Sequence, residues 1–213
     1  MLKSILLFAS SFLIISLSSY SQDASSTNDA ARTKWIGGNV GYSSSSVKDG
    51  ATVSNFIVGP QYGMMFKGNL GGGVNLNFAF GTTKANDASN TTNKINSWEV
   101  VPYLRYYMGE SNLKFFGDLY VGVGGTTTKV ESDVDLANGE FTSSDFKVGL
   151  APGMQYWFND SWSVVSSIAV LEYKSAKTKS GEGAYAGSPE STVSDFELGI
   201  DFTRINFGLF YHF

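Results

Sequence analysis

Four charged residues lie in segments that are otherwise apolar or rich in small residues, namely Glu99, Arg105, Asp118 and Lys147. A charge removed from water needs an opposite charge or hydrogen bonds, because its desolvation is costly. Two acids and two bases can meet that need by pairing with each other, or they can line a path for ions. We expect a polar cluster in the protein interior, with mutual pairing as the main interpretation and a gated ion path as the alternative.

Residues that commonly catalyse reactions or bind metals are few. The 213 residues include one histidine, His212, next to the end of the chain, and no cysteine. One polar connector contains the oxygen-bearing residues Glu131, Asp133, Asp135, Asn138 and Glu140. Their spacing departs from an EF-hand calcium loop, and acidic loops in contact with water are common. We therefore expect no catalytic residue, no metal site and no cofactor.

The first 33 residues are predicted to be a targeting segment followed by a tether. Met1–Ser21 has one basic residue, then an apolar run, then small residues before a cleavage point after Ser21, which is the pattern of an export signal. The alternative is a membrane anchor, but the apolar run is shorter than the about 20 residues that a spanning helix needs. Residues 22–33 are mostly Ser, Asn, Asp, Thr and Ala and lack a core-forming pattern.

Composition argues against two classes of protein. The mean hydropathy is −0.06 and no second apolar run has helical length, so a helical membrane protein is not expected. The net charge of −4 and the pI near 5.0 provide no basic surface for nucleic acid. Aromatic residues make up 15% of the chain and glycine is frequent, which favours a strand-rich domain that forms one barrel.

Residues 34–213 alternate between strand-like segments and polar or glycine-containing connectors. We predict eight strands, at 34–46, 52–66, 70–83, 97–108, 113–130, 142–158, 162–178 and 192–213. Short and long connectors alternate along the chain. That alternation is typical of membrane-spanning antiparallel barrels, which have short turns at one end and long loops at the other.

The facing of charged residues supports the same fold. In segment 97–108 both charges, Glu99 and Arg105, fall at odd positions, whereas the even positions are apolar or aromatic. Successive side chains of a strand point to opposite faces, so one face of this strand is uncharged. An Arg or Lys that faces lipid at mid-membrane costs about 2 to 4 kcal/mol, which excludes a register shifted by one residue.

Aromatic residues on the uncharged faces are expected to form two bands about 25 Å apart. The first band is Phe56, Phe80, Trp98, Phe146 and Phe196. The second is Phe66, Tyr106, Phe115, Tyr156, Phe158, Trp162, Tyr211 and Phe213. A soluble barrel or sandwich is the alternative, but it would turn the Gly, Asn and charged face outward and would need a second sheet for the terminal aromatic residues.

Outward residues should also face each other across the short turns. The predicted pairs are Phe66 with Leu70, Met108 with Leu113, and Phe158 with Trp162. The same hairpin register places Arg105 diagonal to Asp118. In the last segment the outward positions change from even to odd, so we predict a β-bulge near Thr203 and Arg204.

The chain ends with large apolar or aromatic residues at Phe207, Leu209, Tyr211 and Phe213. This ending resembles the closing strand of bacterial outer-membrane barrels, whose C-terminal Phe is part of the signal read by the assembly machinery. With the alternation and the connector pattern, residues 34–213 resemble the small barrels OmpX and the OmpA barrel domain, in the version common among porin-family barrel proteins of the Bacteroidetes. The resemblance implies an all-β fold, an eight-stranded antiparallel up-and-down transmembrane β-barrel with both termini in the periplasm.

The resemblance indicates little about activity. Family members that act as lipid A deacylases or proteases have a His near the outer rim, whereas His212 lies at the other end, so no enzyme is expected. An eight-stranded barrel is just filled by its own side chains. We expect a monomer in the outer membrane, with a largely plugged lumen and a structural or surface-interaction role through its extracellular loops. Its expected partners are the lipid bilayer, lipopolysaccharide and an unidentified extracellular molecule. The alternative function is a narrow porin-like channel for small solutes.

Overall fold

The computed structural model describes residues 33–46, 51–85, 91–109, 111–132, 139–183, 190–199 and 205–213, without the side chains of 180–183. These residues belong to one compact unit, 31–213, and residues 1–30 are a separate unit. The predicted signal peptide, 1–21, and nearly all of the predicted tether therefore lie outside the described residues. Within the described ranges, no helix is long and apolar enough to cross a membrane.

The described strands form one antiparallel sheet that closes into an eight-stranded barrel, as predicted. Six strands are uninterrupted: β1 (Lys34–Ser46), β2 (Thr52–Lys67), β3 (Leu70–Lys84), β4 (Thr92–Met108), β5 (Leu113–Glu131) and β6 (Gly139–Trp157). The seventh position in the barrel is shared by β7 (Trp162–Ser167) and β8 (Leu171–Gly183), and the eighth by β9 (Ser191–Leu198) and β10 (Asn206–His212). Each of the first six strands pairs with the next, β6 pairs with both β7 and β8, β8 pairs with β9, and β10 joins β7 to β1 to close the ring.

The barrel closes next to the C-terminus. The amide of Lys34 donates to the carbonyl of Phe213 at 3.0 Å, and the amide of Phe213 donates back to the carbonyl of Lys34 at 3.0 Å. The start of β1 and the end of the chain therefore lie at the same end of the barrel, which we call the terminal end. The opposite end, to which the longer connectors belong, is the loop end.

The seventh strand is interrupted, whereas a continuous strand over 162–178 was expected. The cause lies on the neighbouring strand β6, where Pro152 has no N–H group to donate to a ladder. Beside it, the amides of Ile168 and Val170 donate to the carbonyls of Pro152 and Leu150 at 3.1 and 3.0 Å. As a result, β6 pairs with β7 on one side of the proline and with β8 on the other.

The eighth strand changes facing as predicted. The outward residues are even-numbered in β9, where Phe196 is 67% exposed, and odd-numbered in β10, where Phe207 is 64% exposed. An odd number of extra residues between the two segments is needed for this change. The predicted bulge positions, Thr203 and Arg204, lie outside the described residues.

Two of the short turns can be compared directly with the prediction. The pairing of Phe158 with Trp162 is confirmed, since the Phe158 amide donates to the Trp162 carbonyl at 3.0 Å. The pairing of Phe66 with Leu70 is wrong, because Lys67 pairs with Leu70 and the register shifts just before it. This tighter two-residue turn is possible because Gly68 adopts a positive φ of 56°.

The register between β4 and β5 also differs from the prediction. Met108 lies opposite Phe115, two residues beyond the expected partner Leu113. A register that differs by two residues, as this one does, leaves every side chain on the same face of the sheet, because facing alternates with every residue. The consequence for the interior is that Arg105 lies directly opposite Asp118, not diagonal to it.

The outer surface has the two predicted aromatic bands. Every aromatic residue assigned to them is at least 40% exposed. Phe56 and Phe66 mark the loop-end band and the terminal-end band on β2, ten residues apart. That spacing is about 33 Å along a strand, or about 25 Å across the membrane at a tilt near 40°, the height of the apolar zone of such barrels.

A pair of variants on β3 tests the assignment of the two faces. Leu76→Arg, on the exposed outer face, should block barrel assembly, because an Arg at mid-membrane costs about 2 to 4 kcal/mol. Ala79→Arg places the charge on the inner face, opposite Ile57. This change should largely preserve assembly, because the interior near the loop end is accessible to water, as the 41% exposure of Ile57 shows. Heat-modifiable gel mobility measures the folded fraction of each, and equal losses would contradict the assignment.

Candidate functional site in the barrel interior

Large aromatic side chains fill the half of the barrel nearest the terminal end. We call this group the interior aromatic core, and each member is at most 8% exposed. Its members are Trp35, Tyr103, Tyr107, Phe116, Tyr120, Trp157 and Phe210. They come from β1, β4, β5, β6 and β10, so the core contacts much of the inner circumference.

The core fits into so narrow a barrel because its rings pack over glycines. Four core residues lie directly opposite a glycine on the neighbouring strand. The pairs are Trp35 with Gly63, Tyr103 with Gly73, Phe116 with Gly153, and Tyr120 with Gly149. A methyl group at any of these glycines would overlap the opposite side chain. The glycines therefore provide the space that the aromatic rings occupy.

One of the predicted ion pairs lies within this core. Arg105 donates from Nε and Nη2 to the two carboxylate oxygens of Asp118, at 2.7 and 2.8 Å. The side chains are 3% and 12% exposed. The guanidinium carbon also lies 3.8 Å from the centroid of the Phe116 ring, which adds a cation–π interaction. The bidentate geometry and the aromatic surroundings compensate for the removal of both charges from water.

A chain of hydrogen bonds extends from Arg105 toward the terminal end. Tyr107 lies 3.5 Å from Arg105 Nη1 and donates from its hydroxyl to Gln155 Oε1 at 2.7 Å. Gln155 Nε2 donates to Ser163 Oγ at 2.7 Å. Ser163 Oγ in turn lies 2.7 Å from His212 Nε2. These residues are all buried, so the network consists of protein groups that satisfy one another.

Ser163 and His212 are close enough for a nucleophile and its general base. Ser163 is nevertheless 0% exposed and His212 is 3% exposed, so a substrate carbonyl has no access to the hydroxyl in this arrangement. The pair was not predicted from the sequence, although the inward facing of Ser163 and Gln155 follows from the β6–β7 hairpin register. The sequence did not show the position of His212 along the barrel axis, because this residue belongs to the closing strand β10.

The second ion pair lies beyond the core, toward the loop end. Lys147 Nζ lies 2.8 Å from Glu99 Oε2, and Asn77 Nδ2 donates to the same oxygen at 3.0 Å. The Lys147 and Glu99 side chains are 21% and 22% exposed. Nearby, the Tyr120 hydroxyl donates to Glu172 at 2.7 Å. This cluster is more accessible than the Arg105 pair and is open to exchange with water.

The structure thus places the four predicted cluster residues as two separate ion pairs in different environments. For metal binding, no group of three or more His, Asp or Glu side chains is suitably arranged among the described residues. The acidic connector lies mainly outside those residues, and its flanking members Glu131 and Glu140 form ion pairs with Lys94 and Lys129.

The residues of the predicted assembly signal lie at the terminal end and face outward. Their exposed fractions range from 40% to 64%. They are Phe207, Leu209 and Tyr211 on β10, and Phe213 at the end of the chain. Their recognition by the assembly machinery stays a prediction.

Comparisons with known proteins give one family match and structural matches of low similarity. The sequence profile of the outer membrane protein beta-barrel domain family matches residues 10–213. The crystal structure of Neisserial surface protein A matches over 84% of this chain and 97% of its own, with 13% identity and a TM-score of 0.39. That of a major outer membrane protein from Thermus thermophilus matches over 86% and 100%, with 14% identity and a TM-score of 0.44. A search among curated proteins gave no match.

The buried ion pair leads to a prediction about stability. Arg105→Met or Asp118→Leu alone should lower the free energy of unfolding by about 3 to 5 kcal/mol, because each leaves an unpaired buried charge. The double variant should recover most of that loss. The exposed pair Lys94–Glu131 serves as a control, and Lys94→Met should cost less than about 1 kcal/mol. Urea unfolding in detergent micelles measures all four variants, and additive losses in the double variant would contradict the pairing.

A second prediction concerns the glycines that lie opposite the aromatic rings of the core. Gly153→Ala should lower the free energy of unfolding by about 1 to 3 kcal/mol, because the new methyl group overlaps the Phe116 ring. Gly117→Ala is the matched control, since a methyl group at Gly117 meets no atom within 4 Å. The same unfolding measurement applies. A double variant Gly153→Ala, Phe116→Leu should recover only part of the loss, because the new methyl group also meets the backbone carbonyl oxygen of Ser166.

Proposed function

Because the chain belongs to the outer membrane protein beta-barrel domain family, we propose that it is an integral barrel of the bacterial outer membrane with a closed interior. In this proposal both termini face the periplasm and the loop end faces outward. Its role is structural or is exerted through contacts at the outer surface. The observation that carries the proposal is the interior aromatic core, which fills the half of the lumen nearest the terminal end.

The arrangement of the core supports closure in two ways. Trp35, Tyr107 and Trp157 come from different sides of the barrel, yet Tyr107 contacts both tryptophans, with ring centroids 6.5 and 6.4 Å apart. The buried polar side chains of Tyr107, Gln155 and Ser163 are joined to one another by hydrogen bonds. A water-filled pore would instead leave polar side chains exposed along its length.

The loop half of the interior differs from the terminal half. Inward residues there include Asn55 and Lys174, which are exposed, and Ile57, which is 41% exposed. The barrel is therefore best described as a cup that opens at the loop end and is closed by the aromatic core below. A cup of this kind presents the rim and its loops to the outside, which favours a role in surface contact.

Several further properties form part of the proposal. The outer face is apolar between the two aromatic bands, which suits contact with lipid, and the proposed oligomeric state is a monomer. No catalytic role is proposed, because the one Ser–His pair noted above is inaccessible. Insertion is assigned to the outer-membrane assembly machinery, with Phe213 and the outward residues of β10 as the recognised segment.

A narrow channel for small solutes is the second candidate function. It is favoured by the partial exposure of the Glu99–Lys147 pair, where opposite charges border the accessible part of the lumen. In such a channel the two charges would line the conduction path.

Planar bilayer recordings distinguish the two functions. We expect purified wild-type barrel to give no stable conductance, and a variant without two core rings, Trp35→Ala with Phe116→Ala, to conduct if it folds. Glu99→Gln with Lys147→Met should leave the wild-type baseline unchanged. A reproducible wild-type conductance that changes in this second variant would contradict closure and support the channel.

A further inference from the structure

Five lysines form an outward-facing belt beyond the loop-end aromatic band. They are Lys84 on β3, Lys94 on β4, Lys129 on β5, and Lys177 and Lys179 on β8. All are exposed, and the last four have 49% to 59% of the side chain accessible. Their facing follows from the register, since Lys94 lies opposite Thr82, two residues beyond the outward residue Phe80. We call these five residues the lysine belt.

The distance between the belt and the aromatic band is similar on three strands. Lys84 follows Phe80 by four residues and Lys94 precedes Trp98 by four. Lys177 follows by four the exposed Tyr173, which lies opposite the band residue Phe196. Four residues span about 13 Å along a strand, or about 10 Å across the membrane at the usual tilt. The aromatic band marks the edge of the hydrocarbon zone, so the ammonium groups lie at the level of lipid head groups.

The arrangement of charges within the belt is unfavourable for the barrel alone. Lys94 lies directly opposite Lys129 on the neighbouring strand, and like charges in that position destabilise a sheet. Glu131 and Glu140 offset part of this repulsion, since they lie 2.7 Å from Lys94 and 3.4 Å from Lys129. Such exposed ion pairs contribute little stability, so an external anion can replace these carboxylates at small cost.

The two lysines on β8 are arranged to bind one anionic group together. Lys177 and Lys179 both form ion pairs with the carboxylate of Glu190, Lys179 at 2.7 Å. Hydrogen bonds from Lys177 and then Lys179 lower the pKa of Glu190 from its ordinary value to about 2. Two ammonium groups that converge on one carboxylate can converge equally on a phosphate, which carries more charge and more acceptor oxygens.

We propose that the lysine belt binds phosphate groups on the head groups of phosphorylated glycolipids in the outer leaflet. Among the described side chains at this level, the belt has five lysines against the three glutamates Glu131, Glu140 and Glu190, an excess of two positive charges, although the chain has a net charge of −4. Lipid phosphates at this level are the nearest available anions, and they are held in place by their acyl chains against the apolar wall. The inference rests on the proposed orientation, in which the loop end faces outward.

The test measures binding of purified lipid A to the folded barrel in detergent, by native mass spectrometry. The probes are lipid A with its phosphates and the same lipid A after dephosphorylation. The variant Lys177→Gln with Lys179→Gln should bind phosphorylated lipid A about 25-fold more weakly than the wild type, because each lysine near an anionic lipid surface contributes roughly fivefold. Replacement of Lys84, Lys94 and Lys129 by Gln should weaken binding further.

The matched control is Lys67→Gln with Lys174→Gln, which removes the same charge from the terminal end and from the inner face of β8. It should leave binding unchanged, and heat-modifiable gel mobility confirms that each variant is folded. Equal binding of dephosphorylated lipid A by the wild type would overturn the proposal. An unchanged affinity in the belt variants, or an equal loss in the control, would also overturn it.

The orientation is tested separately, which keeps the two proposals distinguishable. The chain has no cysteine, so Ser45→Cys near the loop end and Asn112→Cys in a terminal-end turn each provide one labelling site. A membrane-impermeant maleimide added to intact cells should label only the first, in support of both proposals. Labelling of the second alone would overturn the proposed orientation and the outer-leaflet assignment, while phosphate-dependent binding in detergent would still support the belt as the binding surface.

Discussion

The structure depends on one constraint, that backbone polar groups within a hydrocarbon layer must find their partners inside the protein. The strands meet it by pairing in a closed ring, and the ring is completed by the two hydrogen bonds between Lys34 and Phe213. The effect of the constraint is clearest at Pro152, where a donor is missing. There the neighbouring strand divides into two segments, and the amides of Ile168 and Val170 between them donate to the carbonyls of Pro152 and Leu150 on β6.

Closure into eight strands sets a second constraint, because the interior is then too narrow for water and large side chains together. The chain resolves it by pairing aromatic rings with glycines across the sheet, as at Phe116 and Gly153. Once the rings exclude water, a charge can remain inside only if it is fully compensated. Arg105 and Asp118 meet that condition through two short hydrogen bonds and the surrounding aromatic faces.

The sequence predicts the parts of the fold that depend on local rules. Strand number, the inward facing of Glu99 and Arg105, and the aromatic bands follow from a two-residue period and from the cost of a charge in lipid. The break beside Pro152 was missed because it results from a neighbour across the sheet. The contact of Ser163 with His212 was missed for a related reason. Odd or even numbering along a strand shows which face a side chain takes, but its position along the barrel axis depends on the stagger of the strands around the whole barrel.

The two constraints leave different amounts of freedom to different parts of the barrel. The lipid face must stay apolar, and the terminal half of the interior must stay filled, so a change in either lowers stability. The loop end is under neither constraint, because water reaches its residues from both faces. It is also where like charges lie directly opposite each other, at Lys94 and Lys129, an arrangement that the fold itself does not require. Because neither constraint acts at the loop end, this part of the barrel can carry an arrangement of charges that lowers local stability, and a requirement outside the fold can shape its sequence without opening the barrel.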